Sequence, residues 1–257
     1  MWPNRSSDQD QGTRSVVLEH SHTPQAIRAR LAHGPHSNYL RDFIYGGIDG
    51  VVTTFAIVTG VAGADLPTVV VLVLGFANLL ADGFAMGASN YSGTKAERDD
   101  YDRILSIEAK HIALVPEGER EEIKQIFAAK GFVGDDLDRI VGVITSDRAL
   151  WAKTMAVEEY GLAPNTRSPV LAAISTFCAF VLCGIVPLLT YLSAGGLTSC
   201  IIASGATFFG VGAIKSRWSP TTWWRSGLET LAIGASAAAV AYGVGFGLRS
   251  LLNLHAV

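Results

Sequence analysis

The chain has 257 residues, 49% of them apolar and only 17% charged, with a mean hydropathy of +0.31 and a formal net charge of −3. Soluble domains usually carry about 25% charged residues, so an ordinary water-soluble fold is excluded. The three cysteines, Cys178, Cys183 and Cys200, all fall in apolar runs, which excludes the disulfide framework of a small secreted domain.

In chain order, the first stretch is polar. Residues 1–38 are rich in Ser, Gln, Arg and His and show no apolar run followed by a small-residue cleavage site, so they read as a disordered N-terminal arm. His20, His22, His33 and His36 offer imidazoles there, although histidines in such an arm are more often simply solvated.

Crossing a bilayer takes about 20 apolar residues. Runs of that kind occupy 43–63, 68–89, 170–192, 197–214 and 228–248. The expectation is an all-α membrane protein with five transmembrane helices, two in 39–93 and three in 169–257, and a small cytoplasmic helical domain at 94–168 inserted between helices two and three. Basic residues lie on one side of this arrangement: five up to Arg41, eleven from Lys95 to Arg167, and Lys215, Arg217 and Arg225, leaving only Arg249. The connections 64–67 and 193–196 hold none. Lys and Arg accumulate on the cytoplasmic side of membranes, which predicts an N-terminus inside and a C-terminus outside.

Two acids stand inside the first two spans. Asp49 lies in Tyr45-Gly-Gly-Ile-Asp-Gly50, and Asp82 precedes Met86 by four residues. A charge at membrane depth is costly unless it is paired or faces water, so each is a functional candidate. Asn78, Asp82 and Met86 recur every four residues and form one stripe of a helix. Asp49 lies about 10 Å deeper than Asp42, at 1.5 Å per residue, past what reads as an Arg41-Asp42 pair at the interface. The bland alternatives are a hydrogen-bonded packing residue for Asp49 and core filler for Met86. Carboxylate and thioether together suit a divalent transition metal. Gly46 with Gly50, and Gly83 with Gly87, are small-xxx-small pairs that allow close approach of spans one and two, or of two copies. Glu229 has a cheaper reading, an interfacial pair with Arg225 four residues before it.

The soluble segment divides at its breakers into helices expected at 95–114, running on from span two, then 117–130 after Pro116, 135–144 after Gly131, and 147–160, with Asp147 as N-cap and Gly161 as stop. Fifteen acidic residues against eleven basic ones in 94–168 argue against nucleic acid as a partner. Glu108 and His111, and Glu119 and Glu122, are i, i+3 pairs that share helix faces. A turn at Pro116 brings the two pairs together, in the manner of the Glu-x-x-His ligands of di-iron bundles. Spacing alone favours a solvated, salt-bridged surface over a metal site.

Three segments carry a family resemblance: Arg41-Asp-Phe-Ile-Tyr-Gly-Gly-Ile-Asp-Gly-Val-Val-Thr-Thr-Phe-Ala, Gly75-Phe-Ala-Asn-Leu-Leu-Ala-Asp-Gly-Phe-Ala-Met-Gly-Ala-Ser-Asn-Tyr and Met155-Ala-Val-Glu-Glu-Tyr-Gly-Leu. Over about 39–252 the chain resembles the vacuolar iron transporters, with their calcium cross-complementer branch. The resemblance implies a homodimeric exporter of Fe(II), often Mn(II), from the cytoplasm in exchange for protons, needing no resident cofactor and serving intracellular metal homeostasis. It implies that Asp49 and Met86 line the translocation path and that Glu108, His111, Glu119, Glu122, Met155 and Glu159 collect metal. There are departures from the pattern: His111 and Asn78 stand where glutamates are usual, Ala156 replaces the second of a methionine pair, and Leu162 falls where a last glutamate is expected. Asp82 inherits no role and rests on the stripe alone.

Two other classes are open to the sequence. A membrane hydrolase would use Asp49 and Asp82 as an acid pair, yet no nucleophile motif accompanies them. A metal-sensing or storage-docking scaffold would use the soluble helices without any flux. The expected membrane is a bacterial inner membrane, with an organelle membrane as the alternative.

Overall fold

The computed structural model describes residues 21–33, 38–164, 166–193 and 195–251, and their regular structure is entirely helical. Residues 1–36 and 37–257 form separate units. In the first, the stretch expected to be disordered contains a helix, α1 (Pro24–His33), with His22 exposed just before it; His20 and His36 lie outside the described residues.

The second unit is built on five helices long and apolar enough to cross a membrane. They are α2 (Leu40–Gly63), α3 (Thr68–Leu114), α7 (Pro169–Tyr191), α8 (Gly196–Lys215) and α9 (Trp223–Leu251). No breaker separates span two from the charged segment after it, and α3 accordingly runs unbroken for 47 residues, about 70 Å. The α2–α3 turn is made by Asp65 at φ 56, a conformation that Asp tolerates, and Arg249 near the end of α9 holds Asp65 at 2.8 Å. Hydroxyls within the apolar spans satisfy themselves locally: Thr54 Oγ1 donates to the Gly50 carbonyl at 2.8 Å and Thr59 Oγ1 to the Phe55 carbonyl at 2.9 Å. That pairing matters where no water is available.

Helix α2 is central, packed chiefly on α7 and also on α9, α8 and α3. Val51, Phe55, Val58, Leu79, Phe180, Leu188 and Phe208 form the membrane-level core. The glycine pairs do not meet each other as expected. A Cβ on Gly50 would stand 2.8 Å from Phe180 Cα, one on Gly83 3.0 Å from Phe180 Cδ1, and one on Gly87 3.2 Å from the Ala173 carbonyl oxygen. Both pairs receive α7, whose Gly184 returns the close approach, since a Cβ there would stand 2.7 Å from the Gly50 carbonyl oxygen. A third helix thus takes the close approach available to the first two.

The outer half of α3 carries a bundle of three shorter helices, α4 (Pro116–Ala129), α5 (Gly134–Thr145) and α6 (Arg148–Glu158). Because α2 crosses and α3 returns, this bundle lies on the side where α2 begins. Pro116 starts α4 at its first turn, where a missing N–H costs nothing. Gly131 and Gly161 have φ 97 and 68, left-handed values that end α4 and α6. The Asp147 carboxylate caps α6, accepting from the backbone N–H of Ala149 at 2.8 Å and of Leu150 at 3.3 Å. Ile112, Ile123, Leu137, Val141, Ile144, Trp151 and Met155 fill the bundle's core.

Two expected ion pairs have different partners. Glu229 is held by Lys215 across the α8–α9 turn at 3.3 Å, while Arg225 lies over the Trp224 ring at 5.2 Å. Asp42 is taken by Arg167 rather than by Arg41.

Candidate metal centre and intramembrane acids

Pro116 folds α4 back along the end of α3, and this one turn assembles the soluble cluster. Glu108 and His111 from α3 and Glu119 from α4 each bring a ligand atom within 4.8 Å of the others. His111 Nδ1 is 3.3 Å from Glu119 Oε1. Glu108 is 1% exposed and Glu119 6%, whereas half of the imidazole reaches solvent. The two carboxylates therefore form the floor of the site and His111 its rim. Tyr160, just past α6, donates its hydroxyl to Glu108 Oε1 at 3.1 Å. The second oxygens, Glu108 Oε2 and Glu119 Oε2, are buried without a hydrogen-bond partner among the described residues. Buried oxygens without donors are costly, and a divalent cation between them would supply what they lack.

The electrostatics agree. Burial first, then the charges of Glu108 and Glu122, push the Glu119 carboxyl up to about 7. Burial, Glu122 and Glu108 likewise raise Glu159. The Tyr160 phenol is pushed up to about 12 by burial and by Glu108. Glu122 and Glu159 are exposed and complete the negative field, and Met155 is fully buried in the adjacent apolar core.

A pH dependence follows. Glu119 starts from 4.5 as an ordinary side chain, so the metal-free fold takes up a proton as pH falls between the two values. Stability is greatest below the lower value and is lost as pH rises through about 7. Thermal unfolding of the metal-free full chain in detergent should show a midpoint that falls from about pH 5 to about pH 8, following a loss of unfolding free energy on the order of 2–3 kcal/mol. Mn(II) should restore it more at the alkaline end, and Glu119→Gln should flatten both effects. A midpoint that rises with pH would contradict this arrangement.

Within the spans, Asp49 on α2 and Asp82 on α3 are both half-buried. Among the described residues no ion pair reaches either one. Asn78, Asp82 and Met86 are each half-buried along α3. Asn78 Nδ2 is buried without a partner among the described residues, and Met86 packs against the membrane core.

Sequence reasoning missed what lies one step further along this stripe. Asn90 donates to Asp42 Oδ1 at 2.9 Å, to Thr176 Oγ1 at 2.7 Å and to the Ala172 carbonyl at 3.3 Å. Thr94, the next step, donates to Asn90 Oδ1 at 3.4 Å. Arg167 grips both Asp42 oxygens at 2.5 Å. Extending the four-residue recurrence past Met86 would have found Asn90; nothing local pointed to Arg167. Asp42, Met86, Asn90, Glu97, Arg167 and Thr176 are among the lining of a cavity of about 450 Å³ where α2, α3 and α7 leave the membrane. The cavity joins the bundle side of the protein to Met86.

Comparison with known proteins matches residues 40–246 to the VIT family. The chain is 30% identical over 249 residues to vacuolar iron transporter 2 of Oryza sativa subsp. japonica, covering 95% of this chain and 98% of that protein. It is 30% identical over 249 residues to vacuolar iron transporter 1 of Arabidopsis thaliana, covering 92% and 96%, and 33% identical over 233 residues to the vacuolar iron transporter of Toxoplasma gondii, covering 85% and 76%.

Proposed function

The chain belongs to the VIT family, and from that premise we propose that it exports Fe(II), and with it Mn(II), from the cytoplasm across its membrane in exchange for protons. The relatives are named as iron transporters, which supports a membrane iron transporter. Direction, manganese and proton exchange are our reading. The observation that carries it is the pair of acids, Asp49 and Asp82, half-buried in two spans with no ion-pair partner among the described residues.

In this reading the basic-residue count sets the N-terminal side, with the bundle, in the cytoplasm. That orientation serves a bacterial inner membrane and an organelle membrane alike. Metal is concentrated by Glu108, His111, Glu119, Glu122 and Glu159 beside Met155, enters past the cavity at Asn90, and passes to Met86 and Asp49. Thioether and imidazole among carboxylates favour Fe(II) and Mn(II) over Ca(II) or Mg(II). A carboxylate in a low-dielectric site holds a proton readily once the cation has left, which supplies the exchange. The unpartnered Asn78 amide and the half-buried acids beside it support a second copy on this face, a homodimer.

The test is uptake into proteoliposomes of Fe(II), Mn(II), Zn(II) and Co(II) under an imposed pH gradient. Fe(II) or Mn(II) flux that rises with the gradient and collapses when it is dissipated is expected. Metal binding without flux would return the scaffold reading.

A further inference from the structure

Beside the cavity that leads to Met86 lies a larger one of about 670 Å³, at the same membrane level but against α8. Arg41, Ile44 and Ile48 of α2 line it, with Arg167 before α7, Lys215 at the end of α8 and Trp218 in the turn that follows. Three cations face it and no carboxylate lines it, although the chain as a whole is acidic. Two of these cations are partly matched from outside, Arg167 by Asp42 and Lys215 by Glu229. Arg41 is exposed and makes no ion pair among the described residues.

The surroundings are those of a membrane interface. Trp218 between α8 and α9 and Trp223 and Trp224 in the first turn of α9 are all well exposed, next to Arg217 and Arg225 in sequence. Tryptophan and basic side chains gather at headgroup level. Ile44 and Ile48 are one and two helical turns deeper along α2, so the cavity is cationic at its outer end and apolar toward the bilayer. A free anion has no use for the apolar part, and a neutral lipid has no use for three cations.

We propose that this cavity binds an anionic phospholipid, its phosphate against Arg41, Lys215 and Arg167, its glycerol region beside Trp218 and an acyl chain along Ile44 and Ile48. Basic pockets between membrane helices bind anionic headgroups in this way. Arg167 lines both cavities, so a bound phosphate shares the guanidinium with Asp42 and links lipid composition to the mouth of the metal route. The lipid site needs only α2 and α8 to be membrane spans; its failure would leave the transport reading untouched.

Native mass spectrometry of the full chain in neutral detergent, titrated with phosphatidylglycerol or phosphatidylcholine, tests the site without metal. One phosphatidylglycerol per chain is expected, preferred over phosphatidylcholine. Arg41→Ala and Lys215→Ala should each weaken it about fivefold, and Arg249→Ala, on the far face, should not. Arg41 is exposed and unpaired with carboxylate, so its loss spares folding. Equal binding of the two lipids, an unchanged Arg41→Ala, or full competition by glycerol phosphate or inorganic phosphate would overturn the assignment. So would dimers that bind no lipid where monomers do, which would place a second copy in the cavity.

Discussion

Asp49→Asn should abolish metal flux while leaving metal binding by the soluble cluster intact. Asparagine keeps the size and the local backbone contacts at this position but removes the charge. A divalent ion entering the spans would then meet a carboxamide at a depth where an uncompensated charge costs about 2.5–3.5 kcal/mol. At 1.4 kcal/mol per factor of ten, flux should fall about 100-fold or more, to the level of empty vesicles. The helix itself should be unaffected, because Asp49 is only half-buried and pairs with no cation among the described residues. The metal binding proposed for Glu108, His111 and Glu119 is the control, since these residues lie on the outer half of α3 and on α4, away from Asp49. Wild-type flux in Asp49→Asn would remove the intramembrane carboxylate from the mechanism.

Asp82 is half-buried like Asp49 but shares neither its motif nor its expected partner. Asp82→Asn separates its two readings. Flux that persists but no longer follows the pH gradient makes Asp82 the proton acceptor, and flux unchanged in both respects makes it a packing residue.

The features legible in the sequence are those set by local chemistry. Span boundaries followed from apolar run length, the fold-back at Pro116 from proline's missing N–H, and the α6 start from Asp147 as N-cap. The assembly of Glu108, His111 and Glu119 was legible for the same reason, being one breaker between two i, i+3 pairs. The illegible parts depend on partners far along the chain. Glycine pairs announce a close approach without naming the helix that makes it, and α7 lies more than eighty residues beyond Gly83. Adjacent residues on a helix are poorly placed to pair with each other, and the partner that Asp42 takes instead, Arg167, lies 125 positions along the chain. The α8–α9 turn shows the same limit, where Trp224 stacking draws Arg225 away and Lys215 of another helix meets Glu229.

The Asp42–Arg167 pair should be the most sensitive point for stability. Asp42 is 5% exposed and accepts from Arg167 and Asn90 at once. Arg167→Met leaves that carboxylate buried with one neutral donor, and breaking a buried pair from one side typically costs about 3–5 kcal/mol. In thermal unfolding of the detergent-solubilised chain, the midpoint should drop by roughly 10 °C. Asp42→Asn should cost less, because the Arg167 side chain keeps 25% of its surface in contact with solvent and still lies over the Tyr39 ring at 6.0 Å. The double variant Asp42→Asn with Arg167→Met should recover most of the loss of Arg167→Met, since no buried charge then goes unanswered. That non-additivity is the signature of direct coupling. Additive losses would mean that Arg167 acts by packing the segment before α7, and that Asn90 alone holds Asp42 at the mouth of the route to Met86.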